Sequence, residues 1–257
     1  MNAVSKSPRG KNPKLRADAL MVVRGLAESR TRAQAMILAG VVESSGRRVE
    51  KPGDTLVADA ELSVRGADHP WVSRGGVKLS HGLDHFAIDP KGLVCLDVGA
   101  STGGFTDVLL SRGASRIYAV DVGHGQLAWK LRQDPRVVVL ERTNARYLTR
   151  AEIPDAPVLV VCDASFIGLE VVLPAALDLA ADSAVLVALI KPQFEAGKGR
   201  TKGGVVRDPD IHAEVCARVR SWIESKGWDV LGVVESPLLG PEGNKEFLLA
   251  ARREAKR

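Results

Sequence analysis

Short, strongly apolar runs alternate along this chain with stretches whose apolar residues recur at helical spacing. Residues 93–98, 117–120, 137–140, 156–162 and 184–190 are rich in Val, Leu and Ile with few polar interruptions. That is the pattern of strands covered on both faces of a parallel sheet. Between them, residues 102–111, 169–181 and 209–226 predict amphipathic helices, with Pro174 breaking the second. Residues 228–235 and 246–251 predict two last strands, joined by a turn holding Pro237, Gly240, Pro241 and Gly243. After Gly75 and Gly76 a helix running to Phe86 precedes the first of these strands. Strands in alternation with helices, closing on a hairpin, give an α/β class with an open, mainly parallel sheet.

The first quarter has a different rhythm. Residues 15–27 carry Leu15, Ala19, Leu20, Val22, Val23 and Leu26 at helical spacing. A second helix is announced by Ser29 as N-cap, runs through Ala39 and stops at Gly40. Residues 41–49 and 55–64 read as short strands around the Lys51-Pro52-Gly53-Asp54 turn. This organisation predicts a polar tail over residues 1–13, a small α+β module over 14–66, a linker over 67–73 and a large domain over 74–257.

Charge adds to that division. Of the net +5, residues 1–68 supply +4, with 12 Lys and Arg against 8 Asp and Glu. A basic module beside a nearly neutral domain points to nucleic acid as partner. No apolar run approaches the ~20 residues of a membrane span, and the polar start lacks a signal peptide's apolar segment, so no membrane is expected and a cytoplasmic location is. Cys95, Cys162 and Cys216 have no metal-like spacing and read as reduced thiols. His69, His81, His85, His124 and His212 are dispersed, so no metal site is expected.

The richest chemistry lies in Asp97-Val98-Gly99-Ala100-Ser101-Thr102-Gly103-Gly104, a strand end, a glycine turn and a helix start in succession. Ser101 stands where a dinucleotide fingerprint needs its middle glycine, so the pyrophosphate pattern GxGxxG is missing. Asp121, 24 residues beyond Asp97, ends the next apolar run and can bind both hydroxyls of a ribose. Asp97, Gly99, Ser101, Thr102, Gly103, Gly104 and Asp121 together suit S-adenosyl-L-methionine, whose amino-acid end replaces the phosphates. The sheet is then a Rossmann-like, class I methyltransferase sheet. Residues just past its third strand face the adenine, which adds Asn144, and Asp163 at the tip of the fourth strand adds a further contact.

Two resemblances sharpen this reading. Ser29-Arg30-x-x-Ala33, Ile37-Leu38-Ala39-Gly40-x-Val42 and Lys51-Pro52-Gly53 resemble the S4 RNA-binding domain. Arg30 and Arg32 at a helix start favour phosphate. Lys78, Asp163, Lys191 and Glu246, in that order, resemble the catalytic tetrad of the RrmJ/FtsJ class of RNA ribose 2'-O-methyltransferases. With Ser73-Arg74-Gly75-Gly76-x-Lys78, Asp163-x-Ser165-Phe166-Ile167 and Lys191-Pro192-Gln193-Phe194-Glu195, the chain from Leu15 onward is similar to the TlyA family. It departs at Arg16-Ala17-Asp18, where many members have Arg-Leu-Asp.

The resemblance implies methylation of ribosomal RNA at cytidine 2'-hydroxyls, with Arg16, Arg30, Arg32 and Arg74 contacting RNA. Lys191 is expected to take the 2'-hydroxyl proton. Lys78 beside it disfavours a second positive charge, while Asp163 and Glu246 orient the ammonium groups. Two other readings stand against it: a membrane-active haemolysin, a name some members carry, and an RNA-binding protein whose methyltransferase fold no longer catalyses.

Overall fold

The computed structural model describes residues 14–27, 29–38, 40–64, 69–197, 199–201 and 203–255. The predicted tail over residues 1–13, the helix end at Ala39, and the start of the linker at residues 67–68 lie outside them. The chain divides into two compact units, at Asp68 and His69.

The first unit contains β1 (Lys14–Arg16), α1 (Ala17–Val23), α2 (Arg30–Leu38), β2 (Val42–Ser44), β3 (Arg47–Arg48), β4 (Thr55–Val57) and β5 (Leu62–Val64). Leu15 and Arg16 do not open the first helix, as their spacing predicts. They pair with Leu56 and Thr55 in an antiparallel ladder, and the helix starts only at Ala17. Tertiary pairing overrides a helical period that is weak at its edge. The Ser29 hydroxyl accepts from the Arg32 amide at 3.1 Å, as an N-cap does, and Gly40 takes φ +73° beyond the helix. Ala17, Met21, Ala33, Ile37, Val42 and Val49 form the unit's small core.

The second unit begins with α3 (Gly75–His85) and continues through β6 (Val94–Val98), α4 (Gly104–Ser111), β7 (Arg116–Val120), α5 (Trp129–Arg132) and β8 (Val137–Leu140). Then follow β9 (Leu159–Cys162), α6 (Leu169–Val172), α7 (Pro174–Leu179), β10 (Ala184–Ile190), α8 (Pro192–Glu195), α9 (Pro209–Ser225), β11 (Asp229–Glu235) and β12 (Phe247–Arg253). Pro174 stands at the first position of α7, so it divides the predicted helix and opens its second half. Glu246 falls one residue before β12 instead of on it.

The seven strands are ordered β11-β12-β10-β9-β6-β7-β8. Only β12 runs against its neighbours; β10, β9, β6, β7 and β8 are parallel. Alternate residues of each strand serve opposite faces. Leu96, Val98, Val160, Cys162, Leu186 and Ala188 pack with α6, α7 and α9. Cys95, Leu159, Val161, Val187 and Leu189 pack with α3 and α4. The chain steps from β6 toward β7 on one side and returns to β9 on the other. Between the carboxyl ends of β6 and β9 the loops therefore diverge and leave a crevice, the usual ligand position in such sheets.

Among the described residues no helix is long and apolar enough to cross a membrane. Among them, too, no group of three or more His, Cys, Asp and Glu could hold a metal ion. All three cysteines are free, Cys95 and Cys162 buried and Cys216 half-buried. Burial pushes the thiols of Cys95 and Cys162 up to about 12.

Candidate active site

The crevice is built by four loops. The turn after β6 follows from its glycines: Gly103 has φ +97°, and a Cβ on Gly99 would stand 3.0 Å from the Asp163 carbonyl oxygen. The β6 and β9 loops can approach this closely only because Gly99 has no side chain. The Ser101 amide donates to Asp121 Oδ2 at 2.8 Å, and the Gly123 amide to Asp121 Oδ1 at 2.6 Å. Two main-chain donors thus fix the carboxylate at the tip of β7.

The cleft itself, about 500 Å³ with its open mouth, is lined by Gly99, Ser101, Thr102, Gly104, Asp163 and Lys191, and also by Ser73, Gly75, Lys78, Phe105 and Ser165. Of the second group, sequence reasoning assigned only Lys78 a role. Ser73, Gly75 and Ser165 stood inside quoted motifs, but nothing in their residue types told that they would face the cleft.

The four charged residues form two pairs. Lys78 Nζ donates to Glu246 Oε2 at 2.5 Å, across 168 residues of chain, with the Glu246 side chain fully buried. Lys191 Nζ lies 2.5 Å from Asp163 Oδ1 and donates to Ser165 Oγ at 2.9 Å. The Lys191–Asp163 contact is an ion pair without hydrogen-bond alignment, since Asp163 Oδ1 has no hydrogen-bond partner. Lys78 and Lys191 are each only 8% exposed, yet both reach the cleft wall. Burying ammonium groups at this depth requires a carboxylate each, which the two pairs provide.

Asp97 does not line the cleft. It is fully buried beneath the turn, where Oδ2 accepts from Thr106 Oγ1 at 2.7 Å and Oδ1 has no partner. Burial pushes this acid up to about 7; the Thr106 hydroxyl works against the rise and the Asp163 carboxylate adds to it. Gly103, Asp121 and Asn144 are also absent from the cleft wall. Asn144 Oδ1 accepts from the Arg146 amide at 3.1 Å, capping a short turn of 3₁₀ helix.

The four arginines expected at RNA divide. Arg16 and Arg30 converge on Asp18, whose side chain is 0% exposed, with N–O distances of 2.9 and 3.2 Å, and Gln34 donates to the same carboxylate at 2.8 Å. The Arg16 hydrogen bond holds the Asp18 carboxyl well below the usual range. Both arginine side chains keep about half their surface in solvent. Arg32 is exposed on α2, and Arg74, exposed at the start of α3, donates to the Leu239 carbonyl at 2.9 Å.

A profile of FtsJ-like methyltransferases matches residues 71–253. The chain belongs to that family. It is an enzyme, and its methyl donor is S-adenosyl-L-methionine. The 16S/23S rRNA (cytidine-2'-O)-methyltransferase TlyA of Mycobacterium tuberculosis is 51% identical, over 94% of this chain and 91% of that protein. Hemolysin A of Brachyspira hyodysenteriae is 39% identical, over 91% of this chain and 98% of that protein. A solved structure from Streptococcus thermophilus, named a hemolysin, is 41% identical with a TM-score of 0.77, covering 95% of this chain and 90% of that one. The TlyA resemblance seen in the motifs is thus found over nearly the whole chain.

The cleft suits the family's cofactor on its own geometry. Gly99, with no side chain, lets the β6 turn pass close to the β9 loop and show main chain to the cleft, as an amino-acid end lying along main chain requires. Asp121, off the cleft wall, is fixed at the tip of β7, and Asp163 stands on the wall with its Oδ1 against Lys191.

Proposed function

We propose that this enzyme methylates the ribose 2'-hydroxyl of cytidine in ribosomal RNA, and that its first unit is an S4-like RNA-binding domain. The observation that carries the chemistry is the pair of buried lysine–carboxylate contacts opening on one cleft beside the glycine turn. The relatives named above support the substrate. The reaction then belongs in the cytoplasm, with the ribosome.

A ribose 2'-hydroxyl is a poor nucleophile at neutral pH and must shed its proton as it attacks. The bound cofactor supplies an already electrophilic sulfonium methyl. Main chain from Gly99 to Thr102, with Asp121 and Asp163, holds it. Lys191 enters the step as the free amine and takes the proton leaving the 2'-oxygen, and Asp163 and Ser165 hold the ammonium group that results. Lys78, locked by Glu246, contributes a second fixed positive charge on the same wall. Arg16, Arg30, Arg32 and Arg74 contact phosphates and set the register of the RNA.

The test is transfer of radiolabelled methyl to purified small and large ribosomal subunits that lack their native modifications, with the labelled nucleotide mapped. Label at a cytidine 2'-oxygen, abolished by Lys191→Ala while RNA binding stays within a few fold, is the expected result. Label on a base nitrogen or carbon, or none on either subunit, overturns the reading.

A further inference from the structure

Both partners of Lys191 belong to one loop. Asp163 and Ser165 lie between β9 and α6, and the loop's path is strained: Phe166 has φ +64° while 89% exposed. An aromatic residue adopts that region only when its surroundings impose it. The upstream end is secured by the Asp163 amide, which donates to the Val98 carbonyl at 3.0 Å. The downstream end is Leu169, the first residue of α6, whose amide has no acceptor inside its own helix. It donates instead to Glu195 Oε1 at 2.7 Å.

Glu195 ends α8, four residues after Lys191, and its side chain is 3% exposed. Its other oxygen accepts from Arg218 Nη2 at 3.0 Å. The same guanidinium nitrogen also donates to the Glu195 carbonyl at 2.9 Å, and Nη1 pairs with Glu170. Gly168 passes so near that a Cβ there would lie 3.2 Å from Glu195 Oε2. The Phe166 and Phe194 rings, 4.9 Å apart, join the same two segments.

Resting on the reading that Lys191 handles the proton, we propose that Glu195 is a positioning residue: its carboxylate tethers the Leu169 amide and thereby holds Asp163 and Ser165 against Lys191. One short segment then carries both the lysine and the group that places the lysine's partners. The acceptor toward Leu169 at this reach is what matters: with Glu195→Gln the amide NH2 replaces Oε2 beside Arg218, which then rests on Glu170 and the Glu195 carbonyl.

That separation makes the test. Glu195→Gln keeps the reach and removes the charge, whereas Glu195→Asp keeps the charge and withdraws the acceptor by one methylene. We expect Gln to retain at least half the wild-type kcat. Asp should lower kcat by about 10- to 100-fold, with the RNA KM and cofactor Kd within about threefold. In a Ser165→Ala background the Asp penalty should shrink, because the two changes loosen one contact. Hydrogen exchange at the Leu169 amide, faster in Asp and unchanged in Gln, reads the tether without any turnover. A slow Gln variant beside an active Asp variant, or an Asp penalty confined to KM, overturns the proposal. A wild-type enzyme that transfers no methyl to ribosomal RNA, with the exchange pattern as expected, sinks the reaction assigned above and leaves the tether standing.

Discussion

Asp97 offers the sharpest quantitative test. Its carboxyl is fully buried and moves from an ordinary 3.8 to about 7, chiefly because burial disfavours the charge. A folded-state value above the unfolded one stabilises fully below the unfolded value, and that stability is lost as pH rises through about 7. From pH 5 to 8 the folded chain must give up a proton that the unfolded chain has already lost. Over the two pH units between 5 and 7 this amounts to about 3 kcal/mol.

Asp97→Asn removes the titration and still accepts from Thr106. Its amide N–H groups enter the place where Oδ1 has no partner, at a cost of about 1–3 kcal/mol at every pH. The diagnostic is therefore the pH slope and not the absolute stability. Urea unfolding of both proteins without cofactor, at pH 5, 6, 7 and 8, should show wild type losing about 3 kcal/mol more than the variant. In melting temperature the difference is roughly 6–12 °C for a domain this size. Parallel curves for the two proteins would falsify the assignment of a buried, uncharged Asp97.

Removing Glu246 alone, as Glu246→Leu, strands the Lys78 ammonium and should destabilise by about 3–5 kcal/mol, whereas Lys78→Met with Glu246→Leu should restore most of that stability without activity. Equal stability of the single and double variants in thermal melts would refute a buried ion pair. Asp18→Ala leaves Arg16, Arg30 and Gln34 without their shared acceptor and should loosen the first unit by about 2–4 kcal/mol, seen as faster hydrogen exchange across α1 and α2 but not in the sheet. Unaltered exchange there would remove Asp18 from the list of structural supports. Gly104→Ala puts a methyl into the Ser73 hydroxyl and within 2.9 Å of the Gly76 amide, so cofactor affinity in calorimetry should fall at least tenfold. An unchanged Kd would show that α3 can move aside.

Some of this was written in local sequence. The apolar runs behind β6, β7, β8 and β10 are nearly uninterrupted because both faces of those strands are covered, and burial leaves a pattern that needs no partner to be read. The glycine turn and Asp121 were legible for a similar reason: steric freedom and a strand-end carboxylate are properties of residues a few positions apart. The failures lie where a residue's fate depends on distant chain. Leu15 and Arg16 join a strand because Leu56 and Thr55 lie opposite. Nor could local sequence show what Asp97 and Asn144 touch: Asp97 Oδ2 accepts from Thr106 Oγ1, and Asn144 Oδ1 from the Arg146 amide.

Local sequence thus carried the α/β alternation, the basic first quarter, the glycine turn after β6 and the four charged residues in their order. Long-range packing set the rest: Lys78 pairs with Glu246 and Lys191 with Asp163, Asp18 gathers two arginines, and Glu195 reaches the start of α6. Propensity and periodicity act over a turn of helix or a pair of strand residues. Charge pairing in a buried cleft is settled by which strand ends the sheet order brings together, and that order is a property of the whole chain.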